Sequence, residues 1–362
     1  MLDAITIRGF RSIASVEDLK LLPINVLIGA NGSGKSNFLG VFAFLKEIRE
    51  GRLQDYVARQ GGADRILYFG AKVTPQVEFR LSTGASGYWL SLAVTAEDRL
   101  YPANERVSYD ARPAFSEPRE HTLKPRGGME AGISDSASAA IFAKTRWRLS
   151  QWTTYHFHDI SSSAPLRKTA HLNDNRFLRP DGSNLPAFLY LMRERHSSSY
   201  KAIRRAVHRI IPFFDDFVLE PLALRSDSIR LEWRHQGSDK HFDVSSLSDG
   251  SVRFIALATL LLQPVDLRPP IILIDEPELG LHPAAIAMLG SLVRMAAEGS
   301  QVILSTQSSL LLDQFEPEDV IVAEREEMAT QLRRLDPERL EAWLEDYSLG
   351  ELWEKNELGG RP

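Results

Sequence analysis

The chain has 362 residues, of which 43% are hydrophobic and 25% are charged, and its formal net charge is −5 at pH 7. This length predicts one large domain with an insertion or two domains, and the composition is that of a globular protein with a sizeable core. The net charge excludes a general attraction to nucleic acid or to acidic membranes, so any such contact requires a local basic patch.

The usual signals for secretion and membrane insertion are missing from the sequence. The start, MLDAITIRGFRS, has no charged segment followed by an apolar core, as a signal peptide would. The longest apolar run, residues 254–262, is about half as long as a membrane span. The absence of cysteine excludes disulfide bonds and cysteine metal sites. We therefore predict a cytoplasmic protein without membrane contact.

The first predicted elements, within residues 1–71, are strands, a glycine-rich turn and a helix. ITIRGFRSI alternates as a strand does, and INVLIGA at residues 24–30 is typical of a short buried strand. NGSGKS follows, and then a helix over residues 36–49 with apolar residues at helical spacing. This order of strand, glycine-rich turn and helix is specific and predicts the N-terminal part of an α/β core.

Residues 72–235 interrupt this pattern. QVEFRLS, YWLSLAVT and RVSYD alternate between turn residues, which predicts an antiparallel β lobe over residues 72–160. Residues 111–138 combine prolines, glycines and charges without a period and are predicted to form a mobile loop. LPAFLYLMRER and YKAIRRAVHRIIPFF predict a helical insertion over residues 161–235.

An α/β rhythm returns in residues 236–362, the C-terminal part of the core. A helix at residues 251–262 leads to the apolar strand PIILIDE, and a helix at residues 283–297 leads to the strand QVILST. Continuous apolar strands that alternate with helices are typical of a parallel sheet covered on both faces. The predicted fold class is therefore α/β, with a mixed or parallel sheet, an antiparallel β lobe and a helical insertion.

Residues 29–36, GANGSGKS, match the phosphate-binding pattern GxxxxGK[ST]. Glycines let backbone amides turn toward a β-phosphate, and the helix N-terminus adds a partial positive charge. Lys35 would bridge the β- and γ-phosphates, and Ser36 would ligate Mg²⁺. A glycine-rich turn alone would not require the Lys-Ser pair. The pattern predicts ATP and Mg²⁺ as cofactors.

Two later strands end in polar residues, at the edge where α/β sheets bind ligands. In IILIDEPELGLHP, Asp275 would hold Mg²⁺ through water, and Glu276 would orient and deprotonate the attacking water. Adjacent residues of an extended strand point to opposite sides, so the two carboxylates can serve different partners. Asp-Glu-Pro alone could equally be a helix cap. In VILSTQSS, Gln307 occupies the position of a γ-phosphate sensor, although a polar strand end by itself needs no ligand.

Small and polar residues crowd the start of the helix at residues 251–262, namely Ser248, Asp249, Gly250 and Ser251. One such residue is enough for an N-cap. A generous cap is the simple explanation. A helix N-terminus with many donors is also what an anion requires.

Five segments together carry a resemblance to a known family: ITIRGFRSI, LIGANGSGKSNFL, LSDGSVRF, LIDEPELGLHP and LSTQSSLLL. In this order they resemble the RecF-like branch of the ABC-type ATPases, which includes SMC-type and overcoming-lysogenization-defect-type proteins. The closing LGELWEKNELGG is similar to the tail of a group of stand-alone bacterial AAA family ATPases. The resemblance implies an ABC-type ATPase head.

The same resemblance implies how the site is assembled. Two copies would form a head-to-tail homodimer around two ATP molecules, with Ser248 and Gly250 of one copy at the γ-phosphate held by the other. Gln307 would be a catalytic γ-phosphate sensor that acts with Glu276. In and near the phosphate-binding pattern of residues 29–36, the resemblance implies these nucleotide-binding residues: Arg11, Asn31, Gly32, Ser33, Gly34, Lys35, Ser36 and Asn37.

The sequence departs from the family pattern in three places. Asp249 stands where transporters usually carry glycine, and Gln307 stands where many members carry histidine. Because an amide cannot gain a proton, turnover is expected to be slow. The glutamine of the Mg²⁺-binding loop stays open between Gln54, Gln60 and Gln76.

Two further clusters each have a structural and a functional explanation. Arg204 and Arg205 lie in a basic helix whose outer face is either solvated or in contact with a DNA backbone. In YHFHD, His156, His158 and Asp159 are either ordinary strand residues or a metal site. We favour the solvated face and the ordinary histidines.

Three functions agree with these observations. The first is an ATP-gated dimer that senses or clamps DNA and drives a separately encoded effector, such as a nuclease, in phage defence or DNA repair. The second is the ATPase subunit of a membrane transporter, although the roughly 210 residues between Ser36 and Leu247 are about twice the length expected there. The third is a scaffold that binds nucleotide without hydrolysing it.

Overall fold

A computed structural model of the chain describes residues 1–84, 86–109, 119–135, 143, 145–146, 149, 151–159, 161 and 164–360. The strands are β1 Ala4–Phe10, β2 Ile13–Lys20, β3 Ile24–Ile28, β4 Gln76–Thr83, β5 Ser86–Val94, β6 Leu100–Tyr109, β7 Arg119–Thr122, β8 Trp152–Tyr155, β9 Ala170–His171, β10 Phe214–Val218, β11 Pro221–Leu222, β12 Arg225–Ile229, β13 Glu232–His235, β14 His241–Asp243, β15 Ile271–Asp275, β16 Gln301–Ser305, β17 Val320–Glu326 and β18 Ala329–Arg334. The helices are α1 Lys35–Arg49, α2 Leu53–Gln60, α3 Leu185–Arg195, α4 Ser197–Ile210, α5 Asp249–Leu262, α6 Pro283–Ala297, α7 Ser309–Leu312, α8 Pro337–Leu344 and α9 Leu349–Glu354. Within the described ranges, no helix has the length and apolar character needed to cross a bilayer.

The described chain divides into two compact units. The first comprises Met1–Thr153 together with Pro317–Pro362, and the second comprises Thr154–Glu316. The glycine-rich loop and the C-terminal hairpin therefore belong to the first unit, and the Asp-Glu strand belongs to the second. The sequence predicts a finer division, into four segments. That division stays a prediction.

An antiparallel sheet with the strand order β2-β1-β4-β5-β6-β7 dominates the first unit. It confirms the predicted β lobe of β4, β5 and β6, and it also includes β1 and β2. In the pairing of β1 with β4, Ile5 lies opposite Leu81 and Ile7 opposite Phe79. These four side chains are buried, and their two-residue spacing places them on one face of the sheet. The matching apolar faces explain why the N-terminal strands join the lobe.

The segment at residues 111–138, predicted to be a mobile loop, is described only in part. Residues 111–118 and 136–138 lie outside the described residues. In the described part, Arg119–Thr122 forms β7, which pairs with β6 at the end of the sheet. A short end strand requires only backbone hydrogen bonds, so its sequence, REHT, carries no apolar alternation that would have predicted it.

Aromatic side chains form the core beneath α1. Phe44 packs against Phe10, Phe79 and Tyr56, with ring centroids 5.6, 5.8 and 4.8 Å apart. The three phenylalanines are fully buried. Because α1 begins immediately after the glycine-rich loop, this packing fixes the direction in which the helix leaves the loop.

The C-terminal hairpin, β17 and β18, completes the first unit. β17 runs parallel to β3, and Val322 lies opposite Ile28 with both side chains buried. β18 returns antiparallel after a turn in which Glu327 and Met328 have φ values of 45° and 73°, as two-residue hairpin turns require. The hairpin therefore lies beside the strand that leads into the glycine-rich loop.

In the second unit, β15 and β16 form a parallel pair, as the sequence predicts. Ile272 lies opposite Val302, and Asp275 lies opposite Ser305. The interiors of both strands are buried, which agrees with their continuous apolar sequences. The pairing places the polar residues of both strands at the same end, where α/β sheets bind ligands.

The helical insertion predicted from the sequence is also present in the second unit. α3 packs on α4, α4 packs on α5, and α5 packs on α6. Short antiparallel strands accompany these helices in two described sheets, with the orders β10-β13-β14 and β11-β12-β9. The insertion is therefore mixed, with a helical core and short strands beside it.

Candidate functional site

The P-loop, residues 29–36, joins β3 to α1 in the first unit. Gly29, Gly32 and Gly34 have φ values of 151°, 80° and 109°, which side chains disfavour. A Cβ on Gly29 would lie 2.3 Å from the carbonyl oxygen of Ala323, whereas the space around Gly32 is open within 4 Å. The first glycine is therefore required by close packing, and the central one allows the loop to turn.

Lys35 and Ser33 give the loop the properties of an anion site. Lys35 is 5% exposed, and its ammonium group donates to the carbonyl oxygens of Gly29 and Ala30 at 2.6 and 3.0 Å. The hydroxyl of Ser33 is buried and has no hydrogen-bond partner among the described residues. α1 begins after Gly34 without a side-chain cap. A buried cation, an unsatisfied hydroxyl and an uncapped helix start fit a bound phosphate group.

The remaining P-loop residues differ in exposure. Asn31, Gly32 and Ser36 are exposed, and exposure is compatible with the predicted role of Ser36 as a Mg²⁺ ligand. Asn37 is half-buried, and its Nδ2 donates to the hydroxyl of Ser12 at 2.7 Å. Asn37 therefore ties α1 to the turn between β1 and β2. The nucleotide contacts of these residues stay predictions.

Arg11 and the three candidate glutamines of the Mg²⁺-binding loop all make contacts within the first unit. Arg11 donates to the hydroxyl of Tyr56 and to Oε1 of Gln60, at 3.1 and 2.7 Å. Gln54 donates to two backbone carbonyls at 2.7 and 2.8 Å, and Gln76 donates to a neighbouring carboxylate at 2.8 Å. These contacts do not single out one glutamine, so the three alternatives stay open. A nucleotide contact of Arg11 also stays a prediction.

Asp275 and Glu276 lie at the end of β15 in the second unit, and Ser305 of β16 contacts both. The Ser305 hydroxyl donates to Oδ1 of Asp275. The Glu276 amide donates to the carbonyl oxygen and the hydroxyl of Ser305 at 3.1 and 3.2 Å. Glu276 has a φ of 42°, a costly conformation for a residue with a side chain and one that is frequent at functional sites. The backbone thus leaves the strand between the two carboxylates.

Gln307, two residues beyond the end of β16, contacts the Glu276 carboxylate. The side-chain Nε2 of Gln307 donates to Oε1 of Glu276, and its backbone amide donates to Oε1 of Glu278 at 2.9 Å. The Thr306 hydroxyl donates to the same Glu278 oxygen at 2.6 Å. Burial raises the pKa of the Glu278 carboxyl, and the bonds from Thr306 and the Gln307 amide offset part of that rise. Glu278 therefore fixes the backbone of the predicted sensor.

The crowded start of α5 has structural explanations within its own chain. The exposed Ser248 caps the helix, because its Oγ accepts from a first-turn amide at 3.2 Å. Asp249 accepts from Arg167 at 2.5 Å. A Cβ on Gly250 would lie 2.2 Å from the carbonyl oxygen of Gly280, so close packing requires glycine. Contact of Ser248 and Gly250 with a second copy stays a prediction.

A family model described as "AAA domain, putative AbiEii toxin, Type IV TA system" matches residues 24–313. The match includes the P-loop, the start of α5, the Asp-Glu strand and the sensor strand. The chain belongs to this family.

Solved structures of SMC heads have the same fold. An SMC head bound to the C-terminal winged-helix domain of ScpA is similar over 93% of this chain and 99% of that chain, with a TM-score of 0.60 and 15% identity. An SMC head with an extended coiled coil, bound to the C-terminal domain of ScpA and derived from Pyrococcus furiosus, is similar over 95% and 98%, with a TM-score of 0.55 and 14% identity. The ABC-type head predicted from the sequence is thereby confirmed.

A curated relative matches a short segment only. A "putative ABC transporter ATP-binding protein" of Streptomyces coelicolor is 38% identical over 84 residues, which are 23% of this chain and 14% of the relative.

Family and fold together establish an ATPase-like nucleotide-binding protein with an ABC-type head. The assignment to the RecF-like branch stays a prediction.

Two residues that support this AAA family site were not recognised from the sequence. Glu278 lies inside LIDEPELGLHP, where a third carboxylate in an otherwise apolar segment was the available signal. Thr330 donates from Oγ1 to the Ser33 carbonyl oxygen at 2.8 Å across 297 positions of sequence. No local pattern marks such a distant contact.

The basic face of α4 is partly neutralised. Arg204 pairs with Asp215 and Asp216 at 2.9 and 3.5 Å, whereas Arg205 is exposed. The acidic partners reduce the positive field that a DNA backbone would require. The contacts favour the solvated-face explanation, and DNA contact stays a prediction.

The histidines of YHFHD fit ordinary residues better than metal ligands. Burial, followed by the proximity of His158, lowers the pKa of His156. In the part of the chain that the structure describes, no group of three or more His, Cys, Asp or Glu residues is positioned to hold a metal ion. The preference for ordinary strand histidines stays a prediction.

Replacing Lys35 with alanine tests the anion site. The substitution removes the buried ammonium that faces the loop carbonyls, so the dissociation constant for ATP with Mg²⁺ should rise about 100-fold or more, as expected for a charge-assisted contact of about 3 kcal/mol. Isothermal titration calorimetry measures this value. Lys20→Ala, on the exposed part of β2, is the matched control and should bind ATP as the parent does. Unchanged affinity in Lys35→Ala would refute the P-loop assignment.

Proposed function

We propose that the chain is an ABC-type ATPase that binds ATP with Mg²⁺, hydrolyses it slowly and closes as a head-to-tail homodimer. The contact of Gln307 with Glu276, one residue after Asp275, is the observation that carries this proposal. A carboxylate on a strained backbone, held by a neutral amide, is suited to orient a water molecule. Membership of the AAA family supports ATP as the nucleotide.

In this proposal the P-loop residues exchange their present partners for phosphate. Lys35 now donates to two neutral carbonyl oxygens, and anionic phosphate oxygens would accept stronger bonds. Phosphate would also give the buried Ser33 hydroxyl a partner, which the described part of the chain does not supply. Ser36 and Asp275 are the residues that would hold Mg²⁺, which supplies charge neutralisation to the phosphates when bound.

Glu276 would be the general base, and Gln307 would hold it. The amide group of Gln307 does not titrate, so it can fix the carboxylate but cannot take up a proton. Glu278 keeps the Gln307 backbone in place through the amide hydrogen bond of 2.9 Å. A sensor that cannot change its charge supports the proposal of slow turnover.

The dimer is proposed from the start of α5. Ser248 is exposed although it caps its own helix. Its hydroxyl also lies 2.8 Å from the Ser251 hydroxyl, and either of the two can be the donor. When Ser251 donates, the proton of Ser248 can still reach a phosphate held by a second copy. Asp249 would add negative charge at this contact, and its ion pair with Arg167 partly compensates that charge.

A separately encoded effector is proposed as the partner that the dimer gates. The similar SMC heads were solved bound to ScpA domains, and the family description names a toxin of a toxin-antitoxin system. Both support a protein partner for this head. We further propose a DNA-linked role in phage defence or DNA repair, in which the dimer senses or clamps DNA and the effector is a nuclease.

Two alternatives have their own tests. The name of the Streptomyces relative favours a transporter ATPase, but the match covers only 14% of that protein. Co-purification with a membrane subunit would support this alternative. A nucleotide-dependent scaffold would bind ATP tightly and show no steady-state hydrolysis.

Glu276→Gln should separate binding from hydrolysis. The new amide keeps the shape and can still accept from Gln307, but it cannot accept a proton from water. The turnover number should fall by about 10²- to 10⁴-fold, as expected when a general base is lost, while the affinity for ATP stays within about twofold. Phosphate release and calorimetry measure the two quantities. Glu298→Gln, an exposed residue after α6, is the control. Unchanged turnover in Glu276→Gln would exclude Glu276 as the base.

Mixing two inactive variants tests the head-to-tail arrangement. Ser248→Arg should bind ATP but not hydrolyse it, because a bulky cation would occupy the place where the γ-phosphate of the other copy docks. Lys35→Ala should not bind ATP. A mixed dimer contains one complete composite site, formed by Ser248 of the Lys35→Ala copy and ATP on the Ser248→Arg copy. The mixture should therefore recover hydrolysis that neither variant shows, provided that one site can act alone.

The control for this experiment removes a cap elsewhere. Asp336→Arg deletes the side-chain cap of α8, a loss of about 1 kcal/mol, similar to that at Ser248, and it should hydrolyse ATP normally. Normal hydrolysis by Ser248→Arg alone would contradict the contact between copies.

A further inference from the structure

Thr330, on the C-terminal hairpin, is fully buried against the P-loop. Its hydroxyl lies 2.8 Å from the Ser33 carbonyl oxygen and 2.8 Å from the hydroxyl of Ser12. A carbonyl cannot donate, so Thr330 uses its single proton on Ser33 and must accept the proton of Ser12. The Ser12 oxygen in turn accepts from Nδ2 of Asn37 at 2.7 Å.

The direction of every hydrogen bond in this chain is therefore fixed. It runs from Asn37 through Ser12 and Thr330 to the Ser33 carbonyl. Asn37 and Ser33 flank the Gly-Lys-Ser segment of the P-loop, so the chain ties the two ends of that segment to two linked hydroxyls, those of Ser12 and Thr330. Consecutive hydrogen bonds of this kind strengthen one another. The Thr330 amide adds a bond to the Ser12 carbonyl at 2.7 Å.

Packing reinforces the hydrogen bonds. A Cβ on Gly34 would lie 2.1 Å from Oγ1 of Thr330 and 2.6 Å from its Cγ2. The threonine side chain thus lies directly on the backbone of the P-loop, and the glycine permits this approach. Both the hydroxyl and the methyl group of Thr330 therefore lie against Gly34.

The hairpin and the C-terminal tail also contact the first P-loop glycine. The Ala323 carbonyl oxygen would lie 2.3 Å from a Cβ on Gly29, and a Cβ on Gly360 would lie 3.2 Å from the Gly29 Cα. The Gly360 amide donates to Oε1 of Glu324 at 2.7 Å, which attaches the tail to β17. Residues of the segment 320–360 therefore contact the P-loop at Gly29 and at Gly34.

We propose that Thr330 is a positioning residue for nucleotide binding, through which the C-terminal hairpin sets the conformation of the P-loop. The inference rests on the proposed ATP binding at this loop. Without the Thr330 hydroxyl, the buried Ser33 carbonyl loses its donor and the Ser12 proton loses its acceptor. The loop then relaxes away from the arrangement that receives phosphate.

Thr330→Val tests this role because valine keeps the shape and removes the hydroxyl. The dissociation constant for ATP with Mg²⁺ should rise about tenfold, the effect of one unsatisfied buried group. The turnover number at saturating ATP should stay within about twofold, because no residue of the Asp-Glu strand is changed. Thr330→Ser, which restores the hydroxyl, should recover the affinity to within about threefold.

Thr259→Val is the matched control. Thr259 is also fully buried, but its hydroxyl donates to the Ile255 carbonyl inside α5, so its loss should leave ATP affinity unchanged. Equal affinity in Thr330→Val and the parent would overturn the proposal, as would a Thr330→Ser variant as weak as Thr330→Val. If Thr330→Val does not fold, Ser12→Ala decides the question: it interrupts the same chain and should weaken ATP binding about threefold, and unchanged affinity overturns the proposal. A parent protein that does not bind ATP would instead refute the proposed function.

Discussion

A phosphate-binding loop must present backbone amides to an anion, and this constraint governs the first unit. A loop rich in glycine has few side chains of its own with which to hold that conformation. Lys35 supplies one bond from within the loop, to the Gly29 carbonyl oxygen, and Thr330 of the C-terminal hairpin supplies another, to the Ser33 carbonyl oxygen. The aromatic core beneath α1 and the C-terminal hairpin thus support the proposed binding site, although neither needs to touch the nucleotide.

The carboxylates of the second unit depend on a neighbouring strand in the same way. Acidic groups that are close in sequence repel one another unless hydrogen-bond donors compensate their charge. The Ser305 hydroxyl donates to Asp275, and the Thr306 hydroxyl donates to Glu278. Ser305 and Thr306, at the end of β16, therefore support the carboxylates at and just beyond the end of β15. The parallel pairing of the two strands brings these donors and acceptors together.

The sequence predicts the parts of this protein that are encoded locally. Apolar runs predict the parallel strands, the glycine pattern predicts the turn between β3 and α1, and the Asp-Glu pair is placed correctly at the end of a strand. Contacts between distant residues could not be predicted, because Thr330 reaches Ser33 across 297 positions. Packing was also hidden, since the approach of the Gly280 carbonyl oxygen requires glycine at position 250. The sequence also did not predict that β1 and β2 belong to the lobe, because they join it through the pairing of β1 with the distant strand β4.

The most direct test of the account is the mass of the Glu276→Gln protein in solution, measured by light scattering with and without ATP and Mg²⁺. We expect the monomer mass of 40.7 kDa without nucleotide and twice that mass with ATP, because ATP that cannot be hydrolysed should keep two copies closed. ADP should not produce the dimer. A protein that binds ATP and keeps the monomer mass at micromolar concentration would contradict the head-to-tail dimer.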